Sequence, residues 1–294
     1  MINFRYHVVS IIGIFIALAV GVVLGAGPLQ RSINAGMNPS SSQAASDPVL
    51  SAQAEAEAAG LKALASSTLS GSLTGTSVAL VVLPGASDDD VSAIRSTLTD
   101  AGASVVGRVT LTDNWQSTSM SQYRTTLATT LASHLQSGAA KTASADGVVG
   151  YSIVQVLTST GAETDLLRQI LTDKSTPLMT IDEDPAGKAT TLVAVGARAQ
   201  STTSTQASVA ASSDAWIGLG LAVGSTSGVV VGDASSREAM ISQIRTSGTA
   251  VTTVDSVGTT LASVDTALAL STASSGARAF GVGNGAQSVI PSSK

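Results

Sequence analysis

Gly228–Val254, GVVVGDASSREAMISQIRTSGTAVTTV, reads as one complete strand–helix–strand unit. Gly228–Val231 is a β-branched run ended by Gly232-Asp233, and Ala250–Val254 is a second such run. Between them Ser235 and Ser236 offer N-cap hydroxyls to a helix over REAMISQIRTSG. Two strands joined through a helix need a crossover, and the crossover makes them parallel neighbours.

The same alternation extends in both directions. Downstream, a helix is expected over Thr260–Leu270 and a last strand over Ala277–Val282. Upstream, Ser77–Leu83 (SVALVVL) is a buried strand closed by Pro84-Gly85, and Ser87 with Asp88-Asp89-Asp90 caps a helix reaching Asp100. Ala103–Leu111 and Thr190–Val195 read as strands, Trp115–Gln136 as one long helix and Glu163–Thr172 as another. Gly147–Ile153 reads as a loop or strand, and Trp216–Val223 (WIGLGLAV) as a core segment. The fold class is therefore α/β, a doubly wound or Rossmann-like, mostly parallel sheet over residues 76–294.

Ahead of it, Val8–Gly27 (VVSIIGIFIALAVGVVLGAG) carries no charge over 20 residues. As a helix it would rise about 30 Å, the thickness of a bilayer's hydrocarbon core. Pro28 directly after Gly25-Ala26-Gly27 opposes cleavage by a signal peptidase, so an uncleaved transmembrane anchor is expected over residues 1–30. Arg5 and the α-amine precede the span and only Arg31 follows closely, which places the N-terminus in the cytoplasm and the remainder outside. Residues 31–75 form a linker and a helical stalk. Leu50, Ala54, Leu61, Leu64 and Leu69 fall loosely on one face, fitting either a short coiled coil that dimerises or a helix lying on its own domain.

Of 294 residues only 12% are charged, with 15 Lys+Arg against 20 Asp+Glu and a net charge of −5. No basic cluster is present to neutralise phosphates, so nucleic acid is excluded as a partner. The count of cysteines is 0, which removes disulfides, thiolate metal sites and cysteine catalysis.

The remaining motifs carry little chemistry. Gly281-Val-Gly283-Asn-Gly285 follows a strand like a dinucleotide loop but lacks a following helix to receive the phosphates, and Val229–Gly232-Asp233 has a single glycine and no lysine. Gly224-Ser-Thr-Ser-Gly228 has Thr226 where a hydrolase elbow needs serine, and the histidines are His7 and His134 alone. Asp88-Asp89-Asp90 reads as a cap and Asp182-Glu183-Asp184 as a turn before Pro185. Met37, Met120, Met179 and Met240 are too scattered to form a copper(I) motif. Neither catalytic nor cofactor-binding residues are expected, and metal ligands are left unassigned.

The two ends carry a resemblance. Phe4-Arg5-Tyr6-His7 before the span and Leu24-Gly25-Ala26-Gly27-Pro28-Leu29 after it are similar to the actinobacterial MctB-like family of copper transport outer-membrane proteins. Val254-Asp255-Ser256-Val257, Phe280-Gly281-Val282-Gly283, Gly285-Ala286 and Ile290-Pro291 resemble that family's closing segments. The resemblance implies an envelope protein of copper homeostasis, with copper as transported ion, a dimerising stalk and no catalytic residue. The family's outer-membrane label sits against an apolar helical span, which belongs to the cytoplasmic membrane. The expected function is a single-span envelope protein contributing to copper export without catalysis. The alternative is a membrane-tethered dimeric interaction module acting on an envelope or cell-division partner.

Overall fold

The computed structural model describes residues 48–199, 210–272 and 276–291. The expected anchor Val8–Gly27 lies outside them, and among the described residues no helix is long and apolar enough to cross a membrane. The chain divides between Glu55 and Ala56 into two units, and the sheet belongs to the second.

In chain order the elements are α1 (Pro48–Leu69), β1 (Ser77–Val82), α2 (Asp88–Asp100), β2 (Ser104–Leu111), α3 (Asp113–Gln116) and α4 (Ser121–His134). Then come α5 (Gly138–Lys141), α6 (Ala145–Thr158), α7 (Ala162–Leu171), β3 (Met179–Glu183), β4 (Thr191–Val195) and α8 (Ser213–Gly224). Last are β5 (Val229–Val231), α9 (Met240–Thr246), β6 (Thr252–Val254), α10 (Thr260–Ser271) and β7 (Arg278–Phe280). Among these residues the sheet has seven strands in the order β3-β2-β1-β4-β5-β6-β7. All pairs are parallel except β2–β3. The α/β, doubly wound, mostly parallel class expected over 76–294 is the one observed.

Its strands are continuous apolar runs because both faces are covered. Ala79 and Val81 of β1 enter one core with helices α4, α6, α7, α8 and α9, while Val78, Leu80 and Val82 enter the other with α1, α2 and α10. β4 divides likewise, Leu192 and Ala194 to the first side and Val193 and Val195 to the second. In α1, Ala65 and Leu69 follow at helical spacing into the second core, and Leu73 continues it. Each buried leucine stabilises the contact by about 1.5–3 kcal/mol. From Leu61 onward the helix therefore lies on its own domain, with Leu64 left 70% exposed.

Four segments depart from the sequence reading. Gly147–Ile153 is the middle of helix α6, not a loop or strand. Its glycines and valines imitate a strand, but Gly150 admits the backbone of α8. A Cβ there would stand 2.6 Å from the Gly218 carbonyl oxygen. The long helix over Trp115–Gln136 is broken at Ser117, which is extended and whose hydroxyl accepts from the Ser119 N–H at 3.2 Å. The helix after β5 starts at Met240 rather than Arg237. The Asp233 carboxylate draws the Ser235 N–H to 2.7 Å and folds 233–236 into a turn, and Ser236 accepts from Ala239 N–H at 3.1 Å. Finally, Asp182-Glu183 belongs to edge strand β3, whose acids cap Arg95 and Arg108 and blunt the edge against pairing.

Candidate functional site

In an open doubly wound sheet, ligands bind outside the carboxyl ends of the strands where strand order reverses. Here that point falls between β1 and β4. The loop after β1 turns on Gly85 at φ +79°, close against Ala197 beyond β4. α2 then begins under the Ser87 cap with Asp88, Asp89 and Asp90 in its first turn. A helix start of this kind attracts anions through its free N–H groups, and these three carboxylates already bring negative charge to its first turn. Asp90 is buried, and both its oxygens accept from Arg198, from Nε at 2.7 Å and from Nη2 at 2.6 Å. Arg198 stays about half exposed, and the hydrogen bond from its guanidinium to Asp90, reinforced by the charge, holds its pKa above the ordinary arginine value. Asp88 is held by Arg108 at 2.7 Å. Beside this pair a cavity of about 290 Å³ opens between α1, α2 and α10.

A second cleft, about 630 Å³, lies along the carboxyl ends of β5 and β6 and the loop after β7. This is where the glycine-rich stretch 281–285 sits. Gly281 adopts φ +119°, and a Cβ on it would stand 2.1 Å from Asp255 Oδ1. Asp255 fills the position where such a loop would cradle a phosphate. Its Oδ1 accepts from Val282 N–H and Ser256 Oγ, at 2.9 and 2.7 Å. Its Oδ2 accepts from Gly283 N–H and Arg245 Nη1, both at 2.9 Å. Arg245 also donates to the carbonyls of Phe280 and Asn284, each at 2.8 Å, so one guanidinium ties α9, β7 and the closing loop together. Burial pushes the Asp255 carboxyl up, but its four donors outweigh that and leave the pKa below the usual carboxylate range. Burial likewise lowers Arg245, against the opposing pull of Asp255.

Behind this network lies Asp265 on α10. It is fully buried, and neither carboxylate oxygen has a hydrogen-bond partner among the described residues. Burial, followed by the like charge of Asp255, pushes its pKa up to about 7.

The other sequence candidates are placed elsewhere. Thr226 donates to the Val223 carbonyl at 2.8 Å in the turn ending α8, so Gly224–Gly228 finishes a helix and does not present a nucleophile. His134 Nδ1 is engaged by Glu163. Met179 and Met240 are packed into the core, and Met120 is half-buried at the start of α4. Met37 and His7 lie outside the described residues. Among those described, no group of three or more His, Cys, Asp or Glu side chains converges on one point.

Asp90–Arg198, Asp255–Arg245 and Asp265 were not singled out as a site by sequence reasoning. Asp255 gave one signal, as the acid directly after a strand end. Its partner Arg245 is separated from it by half a crossover, which spacing alone does not reveal.

Comparison with known proteins finds one family whose model runs nearly the length of the chain. The family model described as copper transport outer membrane protein, MctB, matches residues 1–291. No curated protein matches the chain. With the match covering all but the last three residues, the chain belongs to the MctB family of copper transport outer membrane proteins.

Proposed function

We propose that the chain is a single-span envelope protein that contributes to copper export or homeostasis without catalysing a reaction. Family membership ties it to copper transport in general terms. The finer reading has Val8–Gly27 as anchor in the cytoplasmic membrane, the α/β unit outside the cytoplasm, and the stalk helix as the place where two copies pair. One observation carries the non-catalytic part. The protein sets a carboxylate of its own at each position where this fold receives an anionic ligand: Asp255 accepts from the loop amides and Arg245, and Asp90, paired with Arg198, lies in the first turn of α2. Copper enters as cargo, handled together with other components.

The test is a deletion strain grown with and without added copper. Cellular copper should rise on deletion, and the full chain in detergent should fail to take Cu(I) from a weak competing buffer. Unchanged copper content in the deletion strain would overturn the reading.

A second reading, a membrane-tethered dimeric module acting on envelope or division machinery, is favoured by the state of the soft donors. Met179 and Met240 are enclosed by the core and His134 is engaged by Glu163. It predicts a growth or shape defect independent of copper, and dimers trapped by cysteines introduced at the exposed positions of the stalk, Leu50 and Leu64.

A further inference from the structure

A buried carboxylate without partners demands an explanation, because each such group costs stability and native proteins hold few of them. Asp265 is the most costly among the described residues, since both its oxygens are enclosed and unpaired. We propose that Asp265 is a proton-operated release for the loop 281–285: neutral, it leaves the Asp255 latch intact, and ionised, it loosens it.

The argument is geometric. Asp255 holds the loop through the Val282 and Gly283 N–H groups, and it sits at the end of β6 directly before the turn 256–259 that leads into α10. That turn already contains two left-handed residues, Ser256 at φ +62° and Gly258 at φ +91°. Ser256 also donates its hydroxyl to Asp255. The elements around α10 carry other charged groups. α2 bears Asp88, Asp89, Asp90, Arg95 and Asp100, and α1 bears Glu55, Glu57 and Lys62. Arg198 follows β4, Asp233 follows β5, and Arg278 of β7 donates to the Ala269 and Thr272 carbonyls at the end of α10. Beyond burial, the charge that raises the Asp265 carboxyl is that of Asp255, which has the same sign. A second negative charge in that enclosure has no counter-ion. It is relieved by admitting water, and the adjoining turn and the loop that Asp255 holds are the segments placed to admit it. Release would uncover the 281–291 segment, whose Val282, Val289 and Ile290 are already exposed. The inference concerns the α/β unit alone and holds whichever way the copper question falls.

The experiment is hydrogen exchange on the full chain in detergent from pH 5.5 to 8.5, with protection corrected for the intrinsic pH dependence of exchange. Peptides covering 281–291 should lose about tenfold in protection as the pH passes 7, while peptides from α6 hold theirs. In Asp265→Asn the loop's protection should be flat with pH. A flat profile in the native chain, an equal loss in α6, or an unchanged slope in the variant would each overturn the proposal. The native profile alone decides the matter should the variant not fold.

Discussion

The carboxyl edge of the sheet closes itself twice, and the two closures differ in depth. At the β1/β4 reversal, Asp90 is buried but Arg198 is half in water. At the β5–β7 end, Arg245 and Asp255 are both enclosed, with side-chain exposures of 7% and 1%. The first pair is a surface clamp whose attraction is screened by solvent. The second is a network that organises four backbone and side-chain donors and leaves a like-charged neighbour, Asp265, unpaired. A carboxylate–arginine pair is thus of small consequence to stability in one place and structural in the other, where the carboxylate also holds the loop amides.

The largest effect should come from breaking the deep closure. Asp255→Ala leaves the Arg245 guanidinium buried without a counter-charge and strips the Val282 and Gly283 N–H groups of their acceptor. A loss of about 3–5 kcal/mol is expected. Urea unfolding of the full chain in detergent, followed through the Trp115 and Trp216 fluorescence, measures it. A loss under about 1 kcal/mol would show that the network is not structural.

Asp265→Asn should act in the opposite direction. Its folded-state pKa of about 7 lies above the ordinary 3.8. Folding therefore takes up a proton between those values. The resulting penalty is absent below pH 3.8, grows as the pH rises, and is complete above about 7. Asparagine removes it, so the variant should gain on the native chain by on the order of 2–4 kcal/mol at pH 8 and by little near pH 4. Parallel stability curves for the two proteins across that range would defeat this account.

What the sequence disclosed follows the same division between local and long-range determinants. Strand runs such as SVALVVL and the crossover 228–254 were legible because composition and period are local properties. The strand β3 was hidden because an edge strand carries acids outward, and MTIDE resembles a polar turn more than a strand. Helix α6 was hidden for the opposite reason. Gly147, Val148, Val149 and Gly150 have strand-like composition, yet the glycines serve the close approach of α8, a contact some 70 residues away that no local window contains. The glycine-rich 281–285 was read as a turn on glycine's freedom alone, and the Asp255 carboxylate that its amides hold is a tertiary fact no local window contains.

The shallow closure supplies the smallest effect. Arg198→Ala removes a bidentate pair, but the guanidinium is half solvated and Asp90 keeps its place in the first turn of α2, where the helix dipole favours a negative charge. A loss of about 1 kcal/mol or less is expected, shrinking further at high salt. Running Asp255→Ala and Arg198→Ala side by side in low and high salt gives the cleanest reading of the contrast. The deep variant's deficit should depend little on ionic strength, because only 7% of the Arg245 side chain is exposed, whereas the shallow variant's deficit should fade. If both deficits faded together, the β5–β7 end would be as open to solvent as the β1/β4 end, and the distinction between a clamp and a latch would collapse.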